Sequence, residues 1–130
     1  MKIIPTKIHG FVDYAVGMLL FTAPWLFNFG TGGPKTWVMV ALGFVSILYS
    51  FITAYEMGIS PKISMRTHLI LDVFTGVALI TAPFLLGFSK EVFLPYVLFG
   101  SFAIIFAGLT KVHPASLSAT GDVTPASFSH

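Results

Sequence analysis

Residues 7–30 read KIHGFVDYAVGMLLFTAPWLFNFG, and residues 66–89 read RTHLILDVFTGVALITAPFLLGFS. Laid over each other at an offset of 59, they place His9 on His68, Asp13 on Asp72 and Gly17 on Gly76. Leu20, Thr22, Ala23, Pro24, Leu26 and Phe29 fall on Leu79, Thr81, Ala82, Pro83, Leu85 and Phe88, which makes nine identities in 24 positions. Shared apolar bias alone would give about two or three, and it would not match histidine, aspartate and proline. The stretch is therefore one unit of an internal repeat.

Each copy is followed by a second apolar run. The four runs are roughly 8–27, 36–55, 65–86 and 92–109. A run of about 20 residues at 1.5 Å per residue crosses a hydrocarbon core of about 30 Å. No run alternates as a strand does, and in lipid only helices or closed barrels satisfy the backbone, so the runs predict helices. The second and fourth runs match more loosely, at an offset of 57. Gly43, Ser46 and Ser50 fall on Gly100, Ala103 and Ala107, and Thr53 falls on Thr110. Small residues at spacings of three and four make a face on which membrane helices pack closely. Two crossings per unit insert both copies the same way up, so a pseudo-two-fold axis along the membrane normal is expected. The predicted fold is an all-α membrane protein of four transmembrane helices, with repeat 1 at about 6–56 and repeat 2 at about 65–112.

Turn residues punctuate the runs: Gly30, Gly32, Gly33 and Pro34; then Ser60, Pro61 and Lys62, with Ser64 as an N-cap; then Ser89, Lys90 and Glu91. The segment 113–130 is polar and small and predicts a disordered tail. A cleaved signal peptide is a poor reading of the first run. His9 and Asp13 interrupt it, no small-x-small site follows, and the run recurs.

Composition agrees. Hydrophobic residues make up 55 % of the chain and charged ones 9 %, against about 25 % charged in a soluble domain. Fourteen phenylalanines and two tryptophans suit lipid contact. With no cysteine, thiolate catalysis, disulfides and cysteine metal sites are excluded. A net charge of +2 is too small to indicate nucleic acid as a partner; the expected partners are the bilayer and a second copy or another membrane protein. Lys2, Lys7, Lys62, Arg66 and Lys111 lie on the side of the termini and middle loop, and Lys35 and Lys90 on the other. The positive-inside rule then puts both termini in the cytoplasm.

The pattern His-x3-Asp-x3-Gly, followed by a small residue, proline and an aromatic, resembles the SPW repeat of bacterial and archaeal membrane proteins. Both copies carry it, with Ala23 and Ala82 where the name-giving serine would stand and Phe84 in place of the second tryptophan. The resemblance implies a prokaryotic cell-membrane protein built from helix pairs. It implies no activity.

The chemistry-bearing residues are His9, Asp13, His68 and Asp72. Spacings of four put His9, Asp13 and Gly17 on one helix face, and likewise His68, Asp72 and Gly76. A carboxylate inside a membrane helix costs about 2.5–3.5 kcal/mol on insertion scales, so something must offset it twice. Three readings remain open. The pairs hold the helices together, each histidine meeting the aspartate one turn away or its counterpart across the axis, with Lys7 and Arg66 also within reach. Alternatively they carry protons or ions in a small transport protein. Or they bind a divalent metal, or a haem through the two histidines, although no cofactor is the leading expectation. No Ser-His-Asp set or phosphate loop can be placed, so an enzyme is not expected. Pro24 and Pro83 predict a kink that ends each helix at the far interface, with Trp25 anchored among headgroups.

Overall fold

The computed structural model describes residues 2–114; the tail assigned to 113–130 lies almost wholly outside them. Four helices follow one another: α1 (Thr6–Leu26), α2 (Pro34–Phe51), α3 (Met65–Leu85) and α4 (Leu94–Leu109). Among the described residues there is no strand, only the isolated bridges Ile4–Thr110 and Thr53–Ile63. Two helices, α2 and α3, are long and apolar enough to cross a membrane; α4 is apolar but has 16 residues. That is about 24 Å, shorter than its hydropathy suggested. The helix starts only at Leu94 because Pro95 belongs in a first turn, where its missing N–H costs nothing.

Local chemistry sets the helix ends. Pro34 opens α2 behind Gly33, whose φ of 74° needs a glycine. Ser64 caps α3, its hydroxyl accepting from the Thr67 N–H at 3.2 Å. α1 and α3 stop in the same way. Asn28 (φ 60°) and Gly87 (φ 78°) occupy equivalent places in the two copies, both in the left-handed conformation. Beyond them, the Phe29 N–H reaches the Pro24 carbonyl at 2.8 Å and the Phe88 N–H reaches that of Pro83 at 2.9 Å. This is a Schellman ending, which glycine favours and asparagine tolerates. The prolines therefore do not end these helices, as the sequence had suggested. Both lie buried inside them, and the left-handed residue stops the chain.

α2 ends at Phe51, four residues before the apolar run does. From Ile52 the chain folds into a strap held by its own backbone. The N–H groups of Ile59 and Ser60 reach the Phe51 carbonyl, and those of Lys62 and Ile63 reach the Ile52 carbonyl. Tyr14 ties the strap to α1 by donating to the Met57 carbonyl at 2.8 Å, and Thr6 donates to Glu56 at 2.6 Å.

α1 packs along α2 and α3 along α4, while α2 touches α3 more lightly. Glycine makes the two close crossings. A Cβ on Gly43 would sit 2.8 Å from the Gly17 carbonyl, and one on Gly100 would sit 2.6 Å from that of Gly76. Between the pairs, Leu20, Ala23, Phe29 and Met39 meet Leu79, Ala82, Phe88 and Tyr96 in one core cluster. The segment before α1 meets the end of α4 at the opposite end of the bundle. The N–H groups of Ile3 and Ile4 bond to the Leu109 carbonyl, and that of Lys111 bonds to Ile4. At the other end Lys35 pairs with Glu91 at 2.6 Å, and the Tyr96 hydroxyl donates to the Lys35 carbonyl. Large apolar side chains on all four helices stay exposed, among them Phe11, Met18, Phe44, Phe74, Leu98 and Ile105.

Candidate functional site

In the first two turns of α1 and α3, four side chains meet in the middle of the bundle. His9 and Asp13 come from α1, and His68 and Asp72 from α3. The shorter contacts run between the halves. His9 Nε2 lies 2.8 Å from Asp72 Oδ2, and His68 Nε2 lies 2.6 Å from Asp13 Oδ2. The contacts one turn along each helix are longer, 3.1 Å for His9–Asp13 and 3.4 Å for His68–Asp72. Each Nε2 thus faces both carboxylates, and the four groups form a ring. Lys7 and Arg66, which the sequence had put within reach of the acids, are exposed, and among the described residues the ion pairs of Asp13 and Asp72 are to the histidines alone.

The outer nitrogen of each ring is anchored by a threonine of the other half. His9 Nδ1 lies 2.6 Å from Thr110 Oγ1, and His68 Nδ1 lies 2.7 Å from Thr53 Oγ1. Each hydroxyl has one proton and uses it at home. Thr110 donates to the Phe106 carbonyl at 2.7 Å, and Thr53 to the Tyr49 carbonyl at 2.6 Å. This is the bond back to residue i−4 that threonine makes at a helix end. The oxygen can then only accept, so each histidine must carry a proton on Nδ1 and donate it. That fixes the tautomer and turns both Nε2 atoms inward. At 2.6–2.8 Å from a carboxylate, each Nε2 must share one further proton with it. Wherever that proton sits, imidazole plus carboxylate sums to zero charge. Two such pairs make a neutral ring, which is how two acids tolerate this position without a lysine or arginine.

The surroundings are aromatic and close. Phe106 stacks on His9, with ring centres 5.0 Å apart and planes at 20°. Tyr49 meets His68 edge-on at 5.0 Å and 81°, and its hydroxyl donates to Asp72 Oδ1 at 2.7 Å. Tyr55, on the strap, covers His68 from outside with centres 5.4 Å apart. On the inner side of the ring lies a cavity of about 30 Å³ lined by Asp13, Asp72, Tyr49, Thr75 and Phe106. That is about the volume of one water molecule. Asp13 is the least enclosed of the four, its side chain 12 % exposed.

The four residues singled out in the sequence are thus brought together. Gly17, Gly43, Gly76 and Gly100 lie at the helix crossings, away from the ring's polar atoms. Pro24, Pro83 and Trp25 lie at the far end, where the Trp25 ring meets Trp37 edge-on at 6.1 Å. His113 borders a groove with Lys2 and Arg66, outside the ring; His130 lies outside the described residues. Thr53, Thr110 and Tyr49 belong to the site, although the sequence reading gave them no role in it. The one signal was that Thr53 and Thr110 match at the offset of 57.

The four side chains offer the nitrogen and oxygen donors of a metal site, each with one ligand atom within 4.8 Å of the others.

The family model described as SPW repeat domain covers residues 7–110. No curated protein and no solved structure matches the chain.

Proposed function

Because the chain belongs to the SPW repeat family, we propose that it is a multi-pass protein of a prokaryotic cell membrane whose histidine–aspartate ring clasps two tandem helix pairs together. In this reading all four helices cross the bilayer. The pairs are related by a pseudo-two-fold axis along the membrane normal, and both termini face the cytoplasm. The protein serves as a structural or accessory subunit for a second copy or another membrane protein, and it catalyses no reaction of its own.

The observation that carries this reading is reciprocity. Residue 9 meets 72 and 110, as residue 68 meets 13 and 53. Every one of these bonds runs between the halves, where helix packing is otherwise light. The exposed apolar side chains on all four helices support lipid contact, since a water-facing surface rarely carries so many. Five of the seven basic residues at the end shared by the termini and the strap support the orientation.

The test is Asp13→Asn combined with Asp72→Asn in the full chain. Removing one partner of a buried pair costs about 3–5 kcal/mol. The double variant should melt far below the wild type in detergent, with the two helix pairs separating first. Unchanged melting would remove the clasp. Reporter fusions at both termini and at residue 32 test the orientation, and a periplasmic terminus would overturn it. A second reading, a small proton-handling protein, is favoured by the cavity against the two carboxylates. It expects proton flux into liposomes that the same double variant abolishes, whereas the clasp expects none.

A further inference from the structure

We propose that the ring is a binding site for one divalent transition ion of the zinc class, held by His9 Nε2, His68 Nε2 and one oxygen each of Asp13 and Asp72. The inference rests on the ring geometry of the clasp, but it gives that geometry a ligand.

A clasp alone needs two separate pairs, each with one donor aimed at one acceptor. Here both Nε2 atoms lie within 3.4 Å of both carboxylates, so the four groups point at a common centre. One N–H cannot point along two such lines at once, whereas a cation at the centre can. All four ligand atoms lie within 4.8 Å of one another. In a tetrahedral site with bonds of about 2.0 Å, ligand atoms stand about 3.3 Å apart. Both Nε2 atoms face the same Asp72 oxygen, Oδ2, at 2.8 and 3.4 Å, and they face Oδ1 and Oδ2 of Asp13 at 3.1 and 2.6 Å, on either side of that value. No pair of ligand atoms is more than 4.8 Å apart, so none must close by more than about 1.5 Å.

The supporting contacts match what metal ligands need. A ligating histidine donates its other N–H to an oxygen, which fixes the ring and leaves the inner nitrogen as ligand. Thr53 and Thr110 do this for both histidines. Tyr49 does the equivalent for Asp72 by holding Oδ1 and leaving Oδ2 inward. Two imidazoles and two carboxylates suit zinc, iron or manganese better than a soft ion. Charge also balances. As the cation arrives, the two protons shared across the ring leave to solvent, so a neutral ring stays neutral and the burial cost does not rise. Asp13, partly exposed, is the way in.

The experiment uses the purified full chain in detergent, stripped with a chelator and checked for helicity. Equilibrium dialysis against zinc should load one ion per chain and raise the melting temperature, and cobalt(II) in its place should give the intense visible bands of a tetrahedral site. His9→Gln with His68→Gln should abolish uptake. Because that variant could fail to fold, Thr53→Val with Thr110→Val is made alongside. It keeps every ligand and should weaken zinc binding by about 10–100-fold. His113→Ala with His130→Ala should leave binding unchanged. A folded, stripped chain that takes up no zinc overturns the proposal and leaves the clasp standing. Uptake lost in the His113/His130 variant, or undiminished in the Thr53/Thr110 variant, overturns it as well. Full zinc binding by a chain whose metal-free form is insensitive to the asparagine substitutions would sink the clasp and keep the site.

Discussion

Tyr49 and Phe106 occupy matching places in the two halves, one turn before the threonines that anchor the histidines, yet their surroundings diverge. Tyr49 turns its edge to His68 and gives its hydroxyl to Asp72. Phe106 lies flat on His9 and has nothing to give, so among the described residues no hydroxyl reaches Asp13. Asp72 is therefore held at both oxygens by strong donors. Asp13 is held by the histidines alone and is the more exposed of the two. The halves agree in the parts that fix the histidines and differ in the part that fixes the carboxylates. One aspartate is held by a hydroxyl as well as by the histidines, and the other by the histidines alone among the described residues.

The largest expected effect separates the two acids. Asp72→Asn should lower stability by about 3–5 kcal/mol, the cost of stranding a buried partner. Asp13→Asn should cost about 1 kcal/mol less, because water can reach the site and no tyrosine hydroxyl is orphaned. Equal losses in thermal unfolding would mean the halves are equivalent after all. Next, Tyr49→Phe makes residue 49 match residue 106. It removes one interhelical bond and should cost about 0.6–2 kcal/mol. The reverse change, Phe106→Tyr, should raise stability by up to about 1 kcal/mol, since the new hydroxyl can enter the cavity beside Asp13. A loss there would show that the cavity does not admit it. The smallest effect belongs to the far end. Lys35→Ala breaks an ion pair whose glutamate is 60 % exposed, and the melting curve should shift by less than about 0.5 kcal/mol.

The site was half legible in the chain. Histidine, aspartate and glycine at spacings of four, twice over, named the polar residues and put each set on one helix face. Which aspartate each histidine prefers was not legible, because both candidates fit the spacing: one a turn away, the other 55 or 63 residues away. Thr110 lies 101 residues from His9 and matters only because the segment before α1 meets the end of α4. The hydropathy of residues 52–55 looked like more helix, but the backbone closed on Phe51 and Ile52 and laid Tyr55 over His68. The prolines are the more visible break in the sequence, but the left-handed backbone at Asn28 and Gly87 stops the helices.

By itself the sequence determined four helices, their order and their doubling. Helix formation depends on local backbone bonding and on apolar side chains, and both are written within about 20 residues. The ring was decided only in the tertiary structure. Its bonds join residues far apart in the chain, and their partners are settled by how the two helix pairs dock through the shared core of Leu20, Ala23, Leu79 and Ala82. Once the pairs dock, the bonds across the halves are shorter than those along each helix, and the two histidine–aspartate motifs become one site.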